Sequence, residues 1–137
     1  MNIVFKNKIK KFWNSNSSIL AGEKDTILKI KEEAIINNNI NSESEILDLG
    51  CGKGQLIKYL NKNKKIKNAI GVDFSKRFIF QAKKNKFKYI DFYCEEVEKF
   101  IERKKIKKKK FDIIILKRLL INLENSKKQI KLINNVS

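Results

Sequence analysis

The chain has 137 residues, enough for one domain, and contains no histidine. This excludes imidazole metal sites and a histidine general base. The two cysteines, Cys51 and Cys94, do not form a metal-spaced cluster, so no metal site is expected. Lys and Arg number 32 against 15 Asp and Glu, which gives a formal net charge of +17.

The excess of positive charge comes almost entirely from lysine. The sequence has 29 Lys and 3 Arg, with 22 Ile and 16 Asn, so Lys, Ile and Asn make up 67 of the 137 residues. All three have AT-rich codons, and an AT-biased genome would produce them without selection for phosphate contacts. Arginine, the better residue for bidentate phosphate contacts, is nearly absent. Salt-dependent, non-specific binding to polyanions is still expected at this charge.

Two helices are predicted before the first strand, over residues 7–13 and 25–37. The inward-facing residues are predicted to be Ile9, Phe12 and Trp13 in the first helix and Ile27, Ile30, Ala34 and Ile35 in the second. A polar connector over residues 37–44 follows. Residues 1–44 are therefore interpreted as an N-terminal helical segment and linker.

Residues 46–54, Ile-Leu-Asp-Leu-Gly-Cys-Gly-Lys-Gly, predict a short buried strand, an acid (Asp48) near its end and a glycine turn. Residues 55–60 follow with apolar side chains at helical spacing. Glycines let a ligand approach the backbone closely, and a helix N-terminus offers N–H groups to negative charge. A dinucleotide motif would need glycine at Gln55, and a P-loop would need Ser or Thr at Gly54. A turn that binds no ligand is the alternative.

A second apolar strand is predicted over residues 69–73, about twenty residues after the loop, the distance at which a βαβ unit returns to the same sheet edge. It ends in Asp73, whose carboxylate can accept hydrogen bonds from both ribose hydroxyls or simply form a strand-end turn. Phe74 suits a flat adenine face, and Ser75 is predicted to cap the next helix. The apolar stripe of that helix is Phe78, Ile79 and Ala82.

Two further strands are predicted. Residues 89–94 alternate with a period of two and lead into Glu95 and Glu96, after which a helix starts at Val97. Residues 111–116 form a β-branched run that predicts a strand buried on both faces. The lysine-rich residues 104–110 precede this strand, at the sheet end opposite the ligand-bearing tips, and are predicted to be a solvated loop.

Together these segments resemble class I S-adenosylmethionine-dependent methyltransferases. Residues 46–54 resemble the first motif of that family, and residues 71–75 with Ile79 and Ala82 resemble the second. The resemblance implies S-adenosyl-L-methionine as the cofactor. It also implies an acid that holds the adenine amino group, at Glu96 or its neighbour, although this pair equally suits a first helical turn. The implied cofactor-binding residues are Asp48, Gly50, Cys51, Gly52, Gly54, Asp73, Phe74, Glu95, Glu96 and Leu116.

Residues 117–123 resemble the segment that follows the fourth strand in a subgroup of small methyltransferases. The resemblance implies that this segment borders the acceptor, which makes Arg118 and Asn122 candidate substrate contacts. A purely structural connector is the alternative for both residues. In related methyltransferases the N-terminal helices close over the cofactor or the acceptor pocket. For Trp13, packing on the sheet is the favoured interpretation.

The resemblance implies an α/β fold, a Rossmann-like three-layer sandwich with about four parallel strands in the order 3-2-1-4 over residues 45–137. It breaks off after the fourth strand, where the family continues with three more strands, so the chain is expected to be the cofactor-binding half of such an enzyme. Without a fifth strand, Ile113 to Ile115 would form an uncovered apolar edge that favours self-association.

The implied reaction is methyl transfer from S-adenosylmethionine to an unidentified acceptor, with a small molecule favoured over protein or RNA. No catalytic residue is assigned, because displacement from a sulfonium mainly requires orientation of the reactants. A non-catalytic basic nucleic-acid-binding module is the alternative, and Gln55 disfavours a nicotinamide-dependent enzyme. The two cysteines and the fold class suggest a cytoplasmic protein, and no apolar run approaches membrane-spanning length.

Overall fold

The computed structural model describes residues 3–15, 26–63, 65–84 and 86–136, and its centre is one parallel four-stranded sheet. The strands are β1 (Ser44–Leu49), β2 (Ile66–Asp73), β3 (Ile90–Cys94) and β4 (Ile113–Ile115). They lie in the order β3-β2-β1-β4. The predicted order 3-2-1-4 is confirmed.

Helices cover both faces of the sheet. In chain order they are α1 (Ile3–Asn14), α2 (Thr26–Asn38), α3 (Gln55–Lys62), α4 (Lys76–Ala82), α5 (Val97–Ile101), α6 (Lys104–Lys107) and α7 (Ser126–Val136), with a 3₁₀ turn at Leu120–Asn122. Buried residues of α3 and α4 form one hydrophobic cluster with Ile46 and Phe92, and α5 and α7 form another with Leu47 and Val72. The predicted three-layer sandwich is therefore confirmed.

Strand alternation places two acids on the same side of the sheet. Successive side chains of a strand point to opposite faces. Because Ile46 belongs to the cluster on the α3 side and Leu47 to the opposite cluster, Asp48 points to the α3 side. The same alternation along β2 puts Asp73 on that side as well. Asp48 pairs in register with Gly71, so the two acids lie at adjacent strand ends.

The local patterns around β2 and β3 are confirmed. The Ser75 hydroxyl accepts the N–H of Phe78 at 3.4 Å and caps α4, as predicted. Phe78, Ile79 and Ala82 are buried, and α5 starts at Val97 with its apolar residues in the core.

The prediction for the fourth strand was too long and too buried. Residues 111–116 were expected to form the strand, but β4 has three residues. Ile115 is buried, whereas Ile113 and Ile114 are only half-buried. The reason is topological, because β4 pairs with β1 on one side and lies at the edge of the sheet.

The prediction for the inward face of α2 was wrong. Ile27, Ile30 and Ile35 are 70%, 60% and 63% exposed, and no described residue of this helix is fully buried. The inner side of α2 instead carries polar residues that meet the loop after β4, while Ile36 packs against the core. Residue 25, the predicted start of this helix, lies outside the described residues.

Two smaller corrections concern exposed segments. The first helix is longer than the predicted residues 7–13, and Phe12 is exposed, so the predicted shared face of α1 is incomplete. The lysine-rich residues 104–110 contain the single-turn helix α6, although their lysines are exposed as expected. None of the helices in the described ranges is long and apolar enough to cross a membrane.

Candidate functional site

A cavity of about 220 Å³ opens where β1 and β2 end. Parallel α/β sheets bind ligands in a crevice at the carboxyl ends of their strands, so its position fits a binding site. The predicted site residues that line it are Asp48, Gly50, Cys51, Gly52, Asp73, Phe74, Arg118 and Asn122. Most of the predicted site is thus brought together in one place.

The glycine turn is held tightly against the second strand. The N–H groups of Gly50 and Cys51 donate to the carbonyl of Val72 at 2.8 and 3.0 Å. Gly54 caps α3 with a φ of +69°, and a Cβ placed there would lie 2.6 Å from ring carbons of Phe92. Glycine is therefore required at this position for both its backbone angle and its close packing. Gly54 shapes the loop and is not among the residues that line the cavity.

Asp73 links the second strand to the loop. One carboxylate oxygen accepts the N–H of Gly52 at 3.0 Å, and the other accepts the N–H of Ser75 at 2.8 Å. Burial raises the pKa of Asp73, although these two hydrogen bonds act in the opposite direction. Each carboxylate oxygen can accept more than one hydrogen bond, so Asp73 retains capacity for a ligand.

Asp48 is the most unusual group in the cavity. Its residue surface is only 2% exposed, and no hydrogen bond to its carboxylate is found within the described residues. Burial raises its pKa to about 7, the positive charge of Lys117 lowers it, and the charge of Asp73 raises it. A buried carboxylate of this kind is a strong acceptor for a cation or a hydrogen-bond donor on a ligand.

The thiol of Cys51 is unsuited to nucleophilic catalysis. Burial raises its pKa well above the ordinary value, and the nearby charges of Asp48 and Asp73 raise it further. The thiol therefore stays protonated at neutral pH, whereas a cysteine nucleophile reacts as the thiolate. No group of three or more Cys, Asp or Glu residues in the described part of the chain is placed to hold a metal ion.

The loop after β4 forms another wall of the cavity. Arg118 has a positive φ of 55°, and the amide of Asn122 donates to its carbonyl oxygen at 2.8 Å. The amide of Gln129 in α7 donates to the carbonyl of Leu120 at 3.1 Å. The two candidate substrate contacts therefore sit in a loop that hydrogen bonds from Asn122 and from Gln129 of α7 hold in shape.

Besides Gly54, three predicted site residues do not line this cavity. Glu95 forms an ion pair with Arg103, and Glu96 forms one with Lys10 of α1. Glu96 also lines a second cavity of about 90 Å³, which shares Phe74, Val97, Leu119 and Asn122 with the first. Leu116 packs in the hydrophobic cluster on the α5 side and lines a groove between α2 and β4. Its cofactor contact stays a prediction, as do those of the two glutamates.

The resemblance implied that the N-terminal helices border the site, but no residue of these helices was among the predicted site residues. Trp13 of α1 and Lys29 of α2 both line the cavity. The carbonyl of Trp13 accepts the Ser75 hydroxyl at 3.2 Å, and the Lys29 ammonium donates to the Gln55 side chain at 3.0 Å.

Four parallel strands in this order, with a glycine turn and acids at adjacent strand tips, define a Rossmann-like protein with a ligand crevice. The chain belongs to a methyltransferase domain family, whose family model matches residues 40–137. The predicted family is therefore confirmed. A search of curated protein sequences gives no match.

Solved structures with the same fold include three methyltransferases. The plantazolicin methyltransferase BpumL, in complex with a triazolic desmethylPZN analog and SAH, has a TM-score of 0.73 at 22% identity, over 97% of this chain and 54% of that chain. The plantazolicin methyltransferase BamL, in complex with a triazolic desmethylPZN analog and SAH, has a TM-score of 0.68 at 26% identity, over 97% of this chain and 53% of that chain. A SAM-dependent methyltransferase from Thiobacillus denitrificans, in complex with S-adenosyl-L-homocysteine (SAH), has a TM-score of 0.59 at 18% identity, over 77% of this chain and 43% of that chain. The present chain thus spans about half the length of these proteins.

Proposed function

We propose that the chain binds S-adenosylmethionine in the cavity at the ends of β1 and β2 and serves in methyl transfer to an acceptor. The observation that carries this proposal is the buried carboxylate of Asp48, which faces the glycine loop and Asp73 across one cavity. A ligand with positive charge next to a ribose would satisfy both acids. The family match and the SAH found in all three structural relatives support this choice.

We assign each residue to the part of the cofactor that it would contact. Asp73 would accept the ribose hydroxyls, and Asp48 would neutralise the positively charged methionine portion. The second cavity, with Phe74 and Glu96 in its walls, suits the adenine ring and its amino group. Because the two cavities share walls at Phe74 and Asn122, one extended nucleoside could occupy both.

The chemistry would depend mainly on orientation. When bound, S-adenosylmethionine supplies a methyl group that is already activated by the sulfonium charge. Holding the acceptor collinear with that methyl group is worth up to ~7–11 kcal/mol. A neutral amine acceptor needs no catalytic base, and the protonated thiol of Cys51 supplies none. The walls formed by Arg118, Asn122 and Trp13 are the parts of this chain that an acceptor would meet.

We propose a small-molecule acceptor and a cytoplasmic location. The structures of BpumL and BamL contain desmethylPZN analogs, which supports a small-molecule acceptor in this group. The location rests on the two free cysteines and the fold class. Detection of the native chain in a membrane or secreted fraction would count against the location.

Calorimetric titration with S-adenosylhomocysteine tests the cofactor proposal. We expect saturable binding by the chain and a loss of at least tenfold in affinity for Asp73→Ala, because two backbone N–H groups and the ribose lose their acceptor. Asp91→Ala is the matched control, since Asp91 is exposed on the neighbouring strand β3. Equal affinities for the two variants would contradict the assignment of Asp73.

We also propose self-association through the edge of β4. This strand pairs with β1 on one side, and its Ile113 and Ile114 are only half-buried. Apolar strand edges promote pairing with another chain. Sedimentation velocity over a range of concentrations should show dimers or larger species. A monodisperse monomer with a cooperative thermal transition would refute this proposal.

The alternative function is binding to nucleic acid through the exposed lysines of residues 104–110. The net charge of +17 and the exposure of these lysines support it. It predicts duplex binding that weakens steeply with salt and is unchanged in Asp73→Ala. Binding that requires Asp73 and resists salt would exclude it in favour of the cofactor site.

A further inference from the structure

We infer that Glu32 is a positioning residue: from the groove between α2 and β4, its carboxylate joins α2 to Lys117 and Arg118 and holds these two residues in the cavity wall, a contact we call the latch. This inference rests on the proposed function for its affinity readout and on the geometry alone for its structural readout. The contacts of the first half of α2 include a hydrogen bond of Lys29 and ion pairs of Glu32.

The contacts of Glu32 form a charged cluster of three residues. One carboxylate oxygen accepts Nε of Arg118 at 3.1 Å, and the other accepts its Nη2 at 3.0 Å. The second oxygen also lies 3.0 Å from Nζ of Lys117. This two-pronged arrangement is the strong, directional form of the arginine–carboxylate contact. A single residue of α2 therefore fixes two consecutive residues of the loop after β4.

The pKa of Glu32 reflects this cluster. Burial acts to raise it, but the hydrogen bonds from Arg118 and Lys117 and their positive charges outweigh burial and hold the pKa below its usual value. Glu32 is thus ionised throughout the neutral range. Its contacts with Arg118 and Lys117 are therefore between charged groups at neutral pH.

The contact of Glu32 matters for the position of α2 because the helix has little apolar packing against the core. No described residue of this helix is fully buried, and its apolar anchor, Ile36, lies near its C-terminal end. Toward its start, Lys29 donates to Gln55 at 3.0 Å and lines the cavity. In the first half of α2, Lys29 therefore lines the cavity through a hydrogen bond to Gln55, and Glu32 is held by ion pairs; such contacts weaken with salt.

Glu32 contacts the loop after β4 at a residue with an unusual backbone angle. Arg118 has a φ of +55°, a left-handed conformation that residues with side chains seldom adopt. Lys117 lines the cavity, and its charge acts directly on Asp48. Releasing Glu32 would therefore loosen the cavity wall and change the charge around the buried acid.

Hydrogen exchange of the chain without ligand tests the latch. In Glu32→Gln we expect the amides of α2 to exchange at least several-fold faster, with β1 and β2 unchanged, because the substitution removes the negative charge from three contacts and replaces one acceptor oxygen with a donor. Glu102→Gln is the control for the charge change, since Glu102 is exposed. Unchanged exchange in α2, or equal acceleration throughout the sheet, would overturn the inference.

The affinity for S-adenosylhomocysteine gives the second readout. We expect Glu32→Gln to weaken binding by on the order of tenfold and Glu102→Gln to leave it unchanged. If the unmodified chain does not bind at all, the proposed function fails, while the exchange experiment still decides on the latch. If Glu32→Gln does not fold, the unmodified chain in low and high salt replaces it. Selective acceleration of α2 by salt supports the latch, and its absence refutes it.

Discussion

Replacing Asp48 with asparagine should make the chain more stable at alkaline pH while abolishing cofactor binding. Burial of the carboxylate raises its pKa to about 7, roughly 3 units above the ordinary value for aspartate. Each unit corresponds to ~1.4 kcal/mol, so keeping Asp48 ionised in the folded chain costs up to about 4 kcal/mol. Asp48→Asn removes this cost but retains the shape of the side chain.

The sign of the effect fixes its pH dependence. The folded pKa lies above the unfolded value, so between about pH 4 and pH 7 the folded chain holds a proton that the unfolded chain has released. Stability from this group is therefore fully present below about pH 4 and lost as the pH rises through about 7. We expect Asp48→Asn and the unmodified chain to have similar unfolding free energies at about pH 4, with the variant increasingly more stable up to about pH 8.

Urea unfolding at a low protein concentration, repeated at several pH values, measures this difference. Asp91→Asn serves as the control, because its carboxylate is exposed on β3 and should give no pH-dependent gain. A stability difference for Asp48→Asn that is the same from pH 5 to pH 8 would refute the reasoning. Retention of S-adenosylhomocysteine binding by the variant would separately argue against the proposed role of Asp48.

Two further substitutions test the loop and the N-terminal wall. Gly54→Ala should lower the free energy of unfolding by about 2–4 kcal/mol, because it combines a left-handed backbone angle with a Cβ 2.6 Å from the ring of Phe92; an unchanged urea midpoint would contradict this. Trp13→Ala should weaken S-adenosylhomocysteine binding several-fold in calorimetry, since the indole lines the cavity. Loss of stability with unchanged affinity would instead favour packing as its role.

The parts of the molecule that sequence predicted well are set by local patterns. The glycine turn, the Ser75 cap and the apolar stripe of α4 depend on residues a few positions apart, and the structure confirms the cap and the stripe. The strand order was implied by the family resemblance, and the structure confirms it. Asp48 and Asp73 meet at one cavity because strand alternation and parallel pairing place them there.

The parts that sequence missed depend on contacts between distant residues. The prediction of the inward face of α2 was wrong because apolar spacing favoured Ile27 and Ile30, which are exposed. The helix instead contacts the loop after β4 through Glu32, whose partner Arg118 lies 86 positions away. The same separation links Lys10 to Glu96. Pairs of charges at this distance leave no periodic signal in a single sequence, so they could not be inferred without the structure.

The hydroxyl of Ser75 connects helices α1 and α4. It accepts the N–H of Phe78 at the start of α4, and its single proton has two acceptors at the end of α1, the carbonyl of Trp13 at 3.2 Å and Oδ1 of Asn14 at 3.1 Å. This hydroxyl group thus caps α4 and links it to the end of α1, where Trp13 lines the cavity. Any movement that separates α1 from α4 must therefore break a hydrogen bond of a fully buried hydroxyl, so the cavity wall at Trp13 is coupled to the protein core.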